Sequence, residues 1–317
     1  MRATAAGKDG VEFIELPIPE PEEGEVRVAI KRASVNAGEQ KVIDGDFVGR
    51  FLRSASAPLV LGWDFAGKVD AVGKGVYGID RGARVWGHLP FSPDTDQGTF
   101  SEYIVIKRSE IGELPDGVSD DVAAAAPTVA MTALQSLRDH GQLGEGRHAL
   151  IIGAAGGIGS VGVGISKRLG GKVTAVCSAK DVDRVRGLGA DEVLDRRETN
   201  PFGNGRSYDV IFDTPAAHSF GHVTGSLVRG GTYVTTLPSL GLFPGMVRGL
   251  LTGKRCRFVQ VASRRADLEL VAGWLDDGLE VPIDSTFPIS ELQAALDRQQ
   301  DRDRAGRVVV DVAGGWV

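Results

Sequence analysis

Short runs of β-branched and alternating hydrophobic residues, separated by Gly, Pro and Asp, fill the first third of the chain. Runs of this kind are typical of strands joined by tight turns. The clearest examples are EVRVAIKRASV, VLGWDFAGKVDAVG, ARVWGHL and TFSEYIVIK. They predict a β-barrel or a β-sandwich in this part of the chain.

The pattern becomes helical at Ser119. The stretch SDDVAAAAPTVAMTALQSLRDHG begins with a Ser suited to an N-cap, has acidic residues in its first turn and continues as a long Ala- and Leu-rich run. A proline inside a helix removes a backbone hydrogen bond and clashes with the preceding turn. Pro127 is therefore expected to divide the run into two helices.

Strands and helices alternate beyond His148. The expected strands are HALIIGA, KVTAVCS, EVLD, DVIFDT, TYVTTL and CRFVQV, and the expected helices are GSVGVGISKRLG, DVDRVRGLG and SFGHVTGSLVRGG. This alternation predicts a parallel, doubly wound α/β sheet. The tail is mixed, with the helices ADLELVAGWLDDG and SELQAALDRQQ and the strands STFPI and GRVVVDV.

Length and composition narrow the class of protein. A chain of 317 residues is long enough for two domains that each bury a core. The content of 42% hydrophobic and 25% charged residues is typical of globular proteins, and the net charge of −6 gives no general attraction to nucleic acid. No apolar run reaches the roughly 18 residues that span a bilayer, and the N-terminus MRATAAGKDG lacks the pattern of a signal peptide. We therefore expect a cytoplasmic protein with no nucleic-acid or membrane partner.

Cysteine and histidine, two of the residue types that bind zinc, are few in this chain. The two cysteines, Cys177 and Cys256, cannot build a thiolate zinc site. His218 and His222 are four residues apart and would share one face of a helix, but no third ligand accompanies them. No metal site is therefore expected.

A glycine-rich turn follows the strand HALIIGA. It fits the fingerprint GxGxxG with Ala in place of the first Gly, and the residues expected to contact a pyrophosphate are Ala154, Ala155, Gly156, Gly157, Ile158 and Gly159. Gly156 lets the backbone approach the anion, and Gly159 lets the following helix pack closely on the strand. The helix N-terminus presents free N–H groups to the phosphates. A second register, Gly157 to Gly162, begins inside the expected helix and is rejected. Strand, turn and helix together predict a dinucleotide site.

The end of the next strand bears on which dinucleotide binds. NAD sites usually place an acidic residue there to bind the ribose 2′-OH, whereas this strand ends in AVCS. A 2′-phosphate needs cations or hydroxyl donors, which Ser178, Lys180 and Arg196 supply. Alternatively, Lys180 and Arg184 form a solvated helix face, and Asp181 could still reach a ribose. These residues favour NADP(H) as the cofactor.

A series of short motifs occurs in order along almost the whole chain. The motifs are SVNAGEQK, PLVLGWDFAGKVDAVGKGV, GTFSEY, PDGVSDDVAAAAPTVAMTAL, GAAGGIGSVG, LGADEVLD, DVIFDT, FVQV and GRVVV. The series resembles the zinc-independent quinone oxidoreductase branch of the medium-chain dehydrogenase/reductase superfamily. The resemblance implies an α/β protein with a GroES-like β-barrel catalytic domain at residues 1–126 and 263–317. It also implies a Rossmann nucleotide-binding domain at residues 127–262, and a cofactor cleft between the two domains.

The same resemblance bears on zinc. Zinc-dependent alcohol dehydrogenases of this superfamily take a catalytic-zinc ligand from a His that follows a Gly, and in this chain Gly62 is followed by Trp63. Another family ligand, a Cys, falls in the region of Ala37 and Gly38. The resemblance therefore implies a metal-free enzyme. Trp63 is expected to pack in the barrel, with contact to the substrate as the alternative. Without a Lewis acid, reduction of an already polarised acceptor is easier than oxidation of an alcohol.

Further site residues follow from the resemblance. It implies that Asn36 lies beside the nicotinamide ribose, that Glu39 stands where Asp is more usual, and that Thr132 lies near the nicotinamide. Arg196 replaces a Tyr next to the 2′-phosphate, and Arg302 falls near another Arg that approaches that phosphate. The residues expected to line the nicotinamide pocket are Thr214, Leu237, Val259, Gln260 and Val261.

These features predict NADPH-dependent hydride transfer to a quinone or to the β-carbon of an α,β-unsaturated ketone. Asn36, a backbone N–H between Val259 and Val261, or water would stabilise the developing oxygen anion. Tyr103 is a candidate proton donor by its chemistry, although its strand position also suits packing. Glu39 could act as an acid if its pKa were raised, or it could bind a ribose hydroxyl.

Two other functions fit the same residues. An enoyl-thioester or polyketide enone reductase would apply the same chemistry to a carrier-bound substrate, and an NADPH-binding protein without turnover would need no acid or base. The preferred substrate is a small-molecule quinone or enone. Members of the family often dimerise through the strand equivalent to CRFVQV, so a homodimer is expected.

Overall fold

The computed structural model describes residues 1–7, 10–45, 58–203, 205–237, 245, 247, 249, 251–301 and 303–316. These residues form two compact units, which consist of Met1–Thr128 with Ala262–Val317, and of Val129–Val261. The first unit is therefore built from both ends of the chain.

The regular elements are numbered in chain order. The strands are β1 (Arg2–Gly7), β2 (Gly10–Glu15), β3 (Glu25–Val35), β4 (Asp64–Val72), β5 (Arg84–His88), β6 (Tyr103–Lys107), β7 (Ile111–Glu113), β8 (His148–Ile152), β9 (Lys172–Cys177), β10 (Glu192–Asp195), β11 (Tyr208–Asp213), β12 (Leu227–Thr235), β13 (Arg255–Phe258), β14 (Ile283–Pro288) and β15 (Arg307–Asp311). The helices are α1 (Ala37–Ile43), α2 (Asp120–Ala125), α3 (Pro127–Leu134), α4 (Gly157–Arg168), α5 (Val182–Gly187), α6 (Phe220–Val223), α7 (Arg265–Asp276) and α8 (Leu292–Gln300). None of the helices that the structure describes is long and apolar enough to cross a bilayer.

The described residues of the first unit form a seven-stranded sheet in the order β14-β15-β3-β4-β5-β7, with β6 also paired to β3. The pair β14–β15 is parallel and the other pairs are antiparallel. Val308 of β15 lies opposite Val35 of β3, so the last strand of the chain completes a sheet begun by the first third. The β-rich character predicted for the first third is confirmed.

The core of this unit lies against that sheet. Its large, fully buried side chains include Trp63, Phe65, Phe100, Leu61, Ile104 and Ile111. Trp63 is fully buried, and its ring lies 4.9 Å from that of Phe91. The predicted packing position of Trp63 is confirmed.

The helical segment that links the two units begins and breaks as its sequence indicates. The Oγ of Ser119 accepts a hydrogen bond from the backbone N–H of Val122 and caps α2. Helix α2 ends at Ala125, and α3 starts with Pro127 in its first position, where the missing N–H leaves no hydrogen bond unmade. A π-helical segment, Gln135–His140, continues α3.

In the part of the second unit that the structure describes, six strands form a parallel sheet in the order β10-β9-β8-β11-β12-β13. Counted from β8, this is the strand order 3-2-1-4-5-6 of dinucleotide-binding sheets, so the predicted doubly wound sheet is confirmed. Successive residues of β8 contribute to two different hydrophobic clusters: Leu150 and Ile152 to one, and Ile151 to the other. Both faces of the sheet are therefore covered, as parallel sheets require.

One predicted helix is largely wrong. The segment SFGHVTGSLVRGG was expected to be helical throughout, but α6 ends at Val223 and β12 begins at Leu227. Gly230 has a φ of +78°, which lies outside the helical region. Glycines weaken a helix, and β12 gains parallel partners on both sides from β11 and β13, so tertiary pairing overrides the helical pattern.

Replacing Trp63 tests the core of the first unit. Because its ring is fully buried, Trp63→Ala should lower the free energy of unfolding by about 3–5 kcal/mol. Tyr77→Ala is the matched control, since Tyr77 is 85% exposed, and it should change the stability little. Urea unfolding followed by circular dichroism makes the measurement. Equal effects of the two substitutions would contradict the assigned position of Trp63.

Candidate functional site

Asn36 is held in one orientation by its neighbours in the first unit. It follows β3 and has an extended backbone at the N-terminus of α1. Its Nδ2 donates to Asp64 Oδ2 at 3.1 Å, and its Oδ1 accepts from Arg307 Nη2 at 2.9 Å. These contacts distinguish the amide nitrogen of Asn36 from its oxygen. One N–H of the side chain is left to donate to another group.

The groups that hold Asn36 form a buried ion pair. Arg307 Nη2 lies 3.0 Å from Asp64 Oδ2, and both side chains are almost completely buried. Arg307 also donates to Ser34 Oγ at 2.7 Å and, through Nε, to the carbonyl of Ala125 at 3.0 Å. Asp64 further accepts from the backbone N–H of Thr128 at 3.0 Å. A buried ion pair is tolerated when its remaining polar atoms are hydrogen-bonded in this way.

Glu39 is a second buried carboxyl group next to Asn36. Its Oε2 accepts from the backbone N–H of Asn36 at 2.7 Å, while no described residue hydrogen-bonds to its Oε1. Burial raises the pKa of Glu39 to about 8, and the charge of Asp64 adds to this, whereas backbone N–H groups and Arg307 oppose it. Glu39 is therefore mostly protonated at neutral pH and can act as a hydrogen-bond donor.

His88 was not selected from the sequence, yet it borders the same cluster. It lies opposite Asp64 in the β4–β5 pair and is fully buried. Burial lowers the pKa of His88, so the ring is neutral. The contact of Nδ1 with the Leu89 carbonyl, at 3.0 Å, requires the proton on Nδ1. Nε2 is then an acceptor, and it has no hydrogen-bond partner among the described residues.

Tyr103 lies away from this cluster. It pairs with Ala29 of β3, and its ring lies 5.6 Å from the guanidinium of Arg27. Asn36 stands just beyond the end of β3, about 20 Å further at the usual rise per residue of a strand. The structure thus gives Tyr103 a packing contact and separates it from Asn36, so we do not retain it as a proton donor.

The glycine turn of the second unit joins β8 to α4. Gly153, which the fingerprint did not include, makes the tight turn with a φ of +76°, and a Cβ there would lie 2.7 Å from Thr214 Oγ1. Ala154 instead donates its N–H to the Val176 carbonyl at 3.0 Å. A Cβ on Gly159 would come within 2.2 Å of the Gly153 carbonyl oxygen, so the close packing expected of Gly159 is present.

The start of α4 fits a pyrophosphate. Gly156 is the N-cap and is exposed, and α4 begins at Gly157, with Ile158 and Gly159 in its first turn. The first N–H groups of a helix have no partner within it, and they carry a partial positive charge toward an anion. A side chain at Gly156 would stand beside the Gly153 carbonyl, at 3.3 Å. The missing side chain leaves room for a phosphate.

The residues after β9 form a hydrogen-bonded group. Ser178 Oγ donates to Asp181 Oδ2 at 2.6 Å, and Arg184 Nη2 donates to Asp181 Oδ1 at 2.8 Å and to the Ala155 carbonyl at 3.1 Å. The hydroxyl hydrogen of Ser178 is thus used by Asp181, which the sequence did not indicate. Lys180 and Arg196 are exposed, and Arg196 donates its backbone N–H to the Cys177 carbonyl at 2.9 Å.

The residues assigned to the nicotinamide pocket lie in the second unit. Thr132 is buried in α3, and Thr214 donates its hydroxyl to the Ile152 carbonyl at 2.9 Å, at the end of β8. Val259 is buried after β13, while Leu237 is 40% exposed. Val261 is the last residue of this unit. Arg302, expected near the 2′-phosphate, lies outside the described residues.

The described side chains around Trp63 do not offer zinc a ligand set. Within the described ranges, no group of three or more His, Cys, Asp or Glu side chains is placed to hold a metal ion. Asp64, next to Trp63, is already engaged by Arg307, Asn36, Ser34 and Thr128.

Comparison with known proteins identifies the family. Residues 22–116 match the model of the alcohol dehydrogenase GroES-like domain, and residues 188–310 match that of the zinc-binding dehydrogenases. The chain is 31% identical to the mouse NAD(P)H oxidoreductase RTN4IP1, mitochondrial, over 80% of this chain and 71% of the relative. It is 28% identical to a chloroplastic quinone-oxidoreductase homolog of spinach, over 96% and 95% of the two chains. The chain belongs to the quinone oxidoreductase branch of the medium-chain dehydrogenase/reductase superfamily.

The chain is therefore an oxidoreductase, and the names of its relatives support a nicotinamide cofactor and a small-molecule substrate. It is also 31% identical to the trans-enoyl reductase pgmF of Aspergillus terreus, over 92% of this chain and 87% of that protein. The solved quinone oxidoreductase of Coxiella burnetii has the same fold, with a TM-score of 0.86 at 22% identity over 98% of this chain and 99% of that chain. The expected combination of a GroES-like domain and a Rossmann domain is confirmed.

The protonation of Glu39 predicts a pH-dependent stability. Its folded-state pKa, about 8, lies above the ordinary value of 4.5, so between these limits the folded state holds a proton that the unfolded state has lost. The free energy of unfolding should therefore fall as the pH rises through this window, by about 1.4 kcal/mol per pH unit at most. Urea unfolding of the wild type and of Glu39→Gln, at several pH values, measures the difference.

In Glu39→Gln the amide oxygen still accepts from the Asn36 N–H, but the side chain cannot titrate. The free energy of unfolding should therefore fall much less as the pH rises. The exposed Glu280→Gln is the matched control and should behave as the wild type does. An identical pH dependence in wild type and Glu39→Gln would refute the neutral form of Glu39.

Proposed function

We propose that this protein is an NADPH-dependent, metal-free reductase that transfers hydride to a quinone or to the β-carbon of an α,β-unsaturated ketone. The observation that carries the proposal is the fixed amide of Asn36. The Arg307–Asp64 pair orients it so that one N–H is left to donate. An acceptor of hydride develops negative charge on oxygen, and an oriented donor in a buried setting stabilises such charge.

The residues of this chain supply orientation and a proton rather than the hydride. When bound, the reduced nicotinamide supplies the hydride from its C4 position. Asn36 donates an N–H to the nicotinamide ribose or to the developing oxygen anion of the acceptor. Glu39 holds the backbone of Asn36 and carries a proton of its own at neutral pH. Thr132, Thr214, Leu237, Val259 and Val261 are proposed to line the nicotinamide pocket.

The absence of zinc is part of the proposal. In zinc-dependent members of the superfamily a His stands where this chain has Trp63, and the indole is fully buried in a hydrophobic core. The neighbouring Asp64 is neutralised by Arg307. These residues support the reduction of acceptors whose C=C–C=O or quinone system is already polarised, for which no Lewis acid is needed.

NADPH is preferred over NADH in this proposal. The glycine turn, Ala154 to Gly159, is proposed to hold the pyrophosphate. Cationic side chains follow β9 and β10, namely Lys180, Arg184 and Arg196, and such side chains favour a 2′-phosphate. Arg184 is connected to the turn through the Ala155 carbonyl. This connection supports a continuous phosphate-binding region in the second unit.

We also propose a homodimer in the cytoplasm. Strand β13 is the last strand of its sheet, and the described strands pair with it on one side only. Such an edge offers unpaired backbone groups to a second copy of the chain. Both cysteines, Cys177 and Cys256, are buried and free, which suits a reducing compartment.

A second candidate is the reduction of an enoyl thioester or a polyketide enone. The identity of 31% with a trans-enoyl reductase favours this candidate. The hydride chemistry is the same, and the acceptor differs only in being bound to a carrier. A third candidate is an NADPH-binding protein without turnover.

One assay separates these functions. Oxidation of NADPH is followed at its absorbance maximum with 1,4-benzoquinone, 9,10-phenanthrenequinone, an enone or crotonyl-thioester as the acceptor, and with a chelator added in parallel. We expect turnover with a quinone or the enone and no effect of the chelator. Preference for the thioester would favour the second candidate. Tight NADPH binding without turnover would leave only the binding protein. Metal analysis of the purified protein that finds one zinc per chain would overturn the metal-free mechanism.

Asn36→Ala tests the group that carries the proposal. Loss of one oriented donor should lower kcat by about 10²- to 10³-fold. Gln40→Ala is the matched control in the same helix, because the Gln40 amide bonds Asp44 and Gln300 instead, at 2.8 and 3.1 Å. Steady-state kinetics and thermal unfolding are measured for both variants. An Asn36→Ala protein that folds and retains the wild-type kcat would refute the role of Asn36.

A further inference from the structure

Asp181 occupies the hydrogen-bond donors that a 2′-phosphate would need. The carboxylate lies after β9 and accepts from Ser178 Oγ at 2.6 Å through Oδ2 and from Arg184 Nη2 at 2.8 Å through Oδ1. Hydroxyl and guanidinium groups at this strand end are suited to bind a ribose 2′-phosphate. Both are already engaged within the chain.

Arg184 is held in place by more than Asp181. The same Nη2 also donates to the carbonyl of Ala155 in the glycine turn, at 3.1 Å, and its Nη1 is buried without a partner among the described residues. The guanidinium therefore lies between the end of β9 and the turn. Its position suits a ligand that reaches from the pyrophosphate to the 2′-phosphate.

Asp181 is negatively charged in this arrangement. Burial acts to raise the pKa of Asp181, but the hydrogen bonds from Ser178 and Arg184, together with the charges of Arg184 and Lys180, outweigh it and lower the pKa. A phosphate that enters the same group meets a like charge at close range, and it must share or displace the donors that the carboxylate holds.

We propose that Asp181 is a specificity-determining residue: its carboxylate competes with the cofactor's 2′-phosphate for Ser178 and Arg184 and so limits the preference for NADPH over NADH. The inference rests on the proposed nucleotide site, but not on which cofactor the wild type prefers. It assigns 2′-phosphate binding chiefly to Arg184, rather than to the exposed Lys180 and Arg196.

The test is the substitution Asp181→Asn, which retains the shape of the side chain and removes its charge. Isothermal titration calorimetry measures the Kd of the full chain for NADPH, for NADH, for 2′,5′-ADP and for 5′-ADP. We expect the ratio of Kd(NADH) to Kd(NADPH) to rise about tenfold, which corresponds to about 1.4 kcal/mol. The ratio for 5′-ADP over 2′,5′-ADP should rise by a similar factor.

The chain offers a matched control in the same helical segment. Asp183 forms an ion pair with Arg186 at 2.7 Å, and the two residues have the same spacing as Asp181 and Arg184. The Asp183 side chain, however, is 97% exposed. Asp183→Asn removes the same charge and should leave both ratios unchanged. The proposal would be overturned if the ratio of Kd(NADH) to Kd(NADPH) in Asp181→Asn stayed at the wild-type value or fell. It would also be overturned if Asp183→Asn raised this ratio by the same factor.

A second variant tests the assignment to Arg184. Arg184→Gln should weaken 2′,5′-ADP and NADPH by at least tenfold and leave 5′-ADP within about twofold, while Lys180→Ala and Arg196→Ala should have smaller effects. An unchanged affinity of Arg184→Gln for 2′,5′-ADP would overturn it.

The outcome also separates this inference from the proposed function. A wild type that binds NADH more tightly than NADPH would refute the proposed cofactor, but the Asp181 variant would still decide the inference. A wild type that binds NADPH without turnover would refute the proposed reaction alone. Binding of none of the four nucleotides would overturn both.

Discussion

The buried contact between Arg307 and Asp64 is the interaction on which the first unit depends. A charge removed from water is expensive unless an opposite charge and hydrogen-bond partners replace the water. Arg307 meets this requirement with Asp64, Ser34, Asn36 and the Ala125 carbonyl at once. One guanidinium thereby ties β15 to β3, to β4 and to the end of α2.

The same contact explains why the end of the chain belongs to the unit formed by its beginning. Strand β15 brings Arg307 beside Asn36 because Val308 pairs with Val35 in the antiparallel register. If this strand were missing, Asp64 would be a buried charge without a counter-ion, and the Asn36 amide would lose the donor that orients its oxygen. Structural integrity and the orientation of a site residue therefore rest on one side chain.

Two carboxyl groups in this protein illustrate how surroundings determine chemistry. Glu39 is fully buried, and no cation of the described residues hydrogen-bonds to it, so its burial outweighs the attraction of Arg307 and it keeps its proton. Asp181 is partly exposed and accepts from a guanidinium and a hydroxyl, so it stays ionised. The first is a donor beside Asn36, whereas the second is an acceptor that competes for cationic groups.

Local signals in the sequence determined much of the architecture. The Ser119 cap, the break at Pro127 and the alternation of strands and helices act over a few residues, and the structure contains all three. The glycine turn was also correct in place, but its tight turn belongs to Gly153 rather than Ala154. Gly153 has a φ of +76°, and a Cβ there would lie 2.7 Å from Thr214 Oγ1, which the local pattern did not indicate.

Tertiary contacts alone decided the rest. Pairing with β11 and β13 made a strand of the residues from Leu227 onwards that the pattern assigned to a helix. Arg307 and Asp64 are separated by 243 positions in the chain, so no local pattern links them. The use of Ser178 by Asp181 likewise follows from side-chain geometry that spacing does not encode. The periodicity of hydrophobic residues along the sequence indicates which residues face a core. Charge pairing instead depends on which distant segments the folded core brings together.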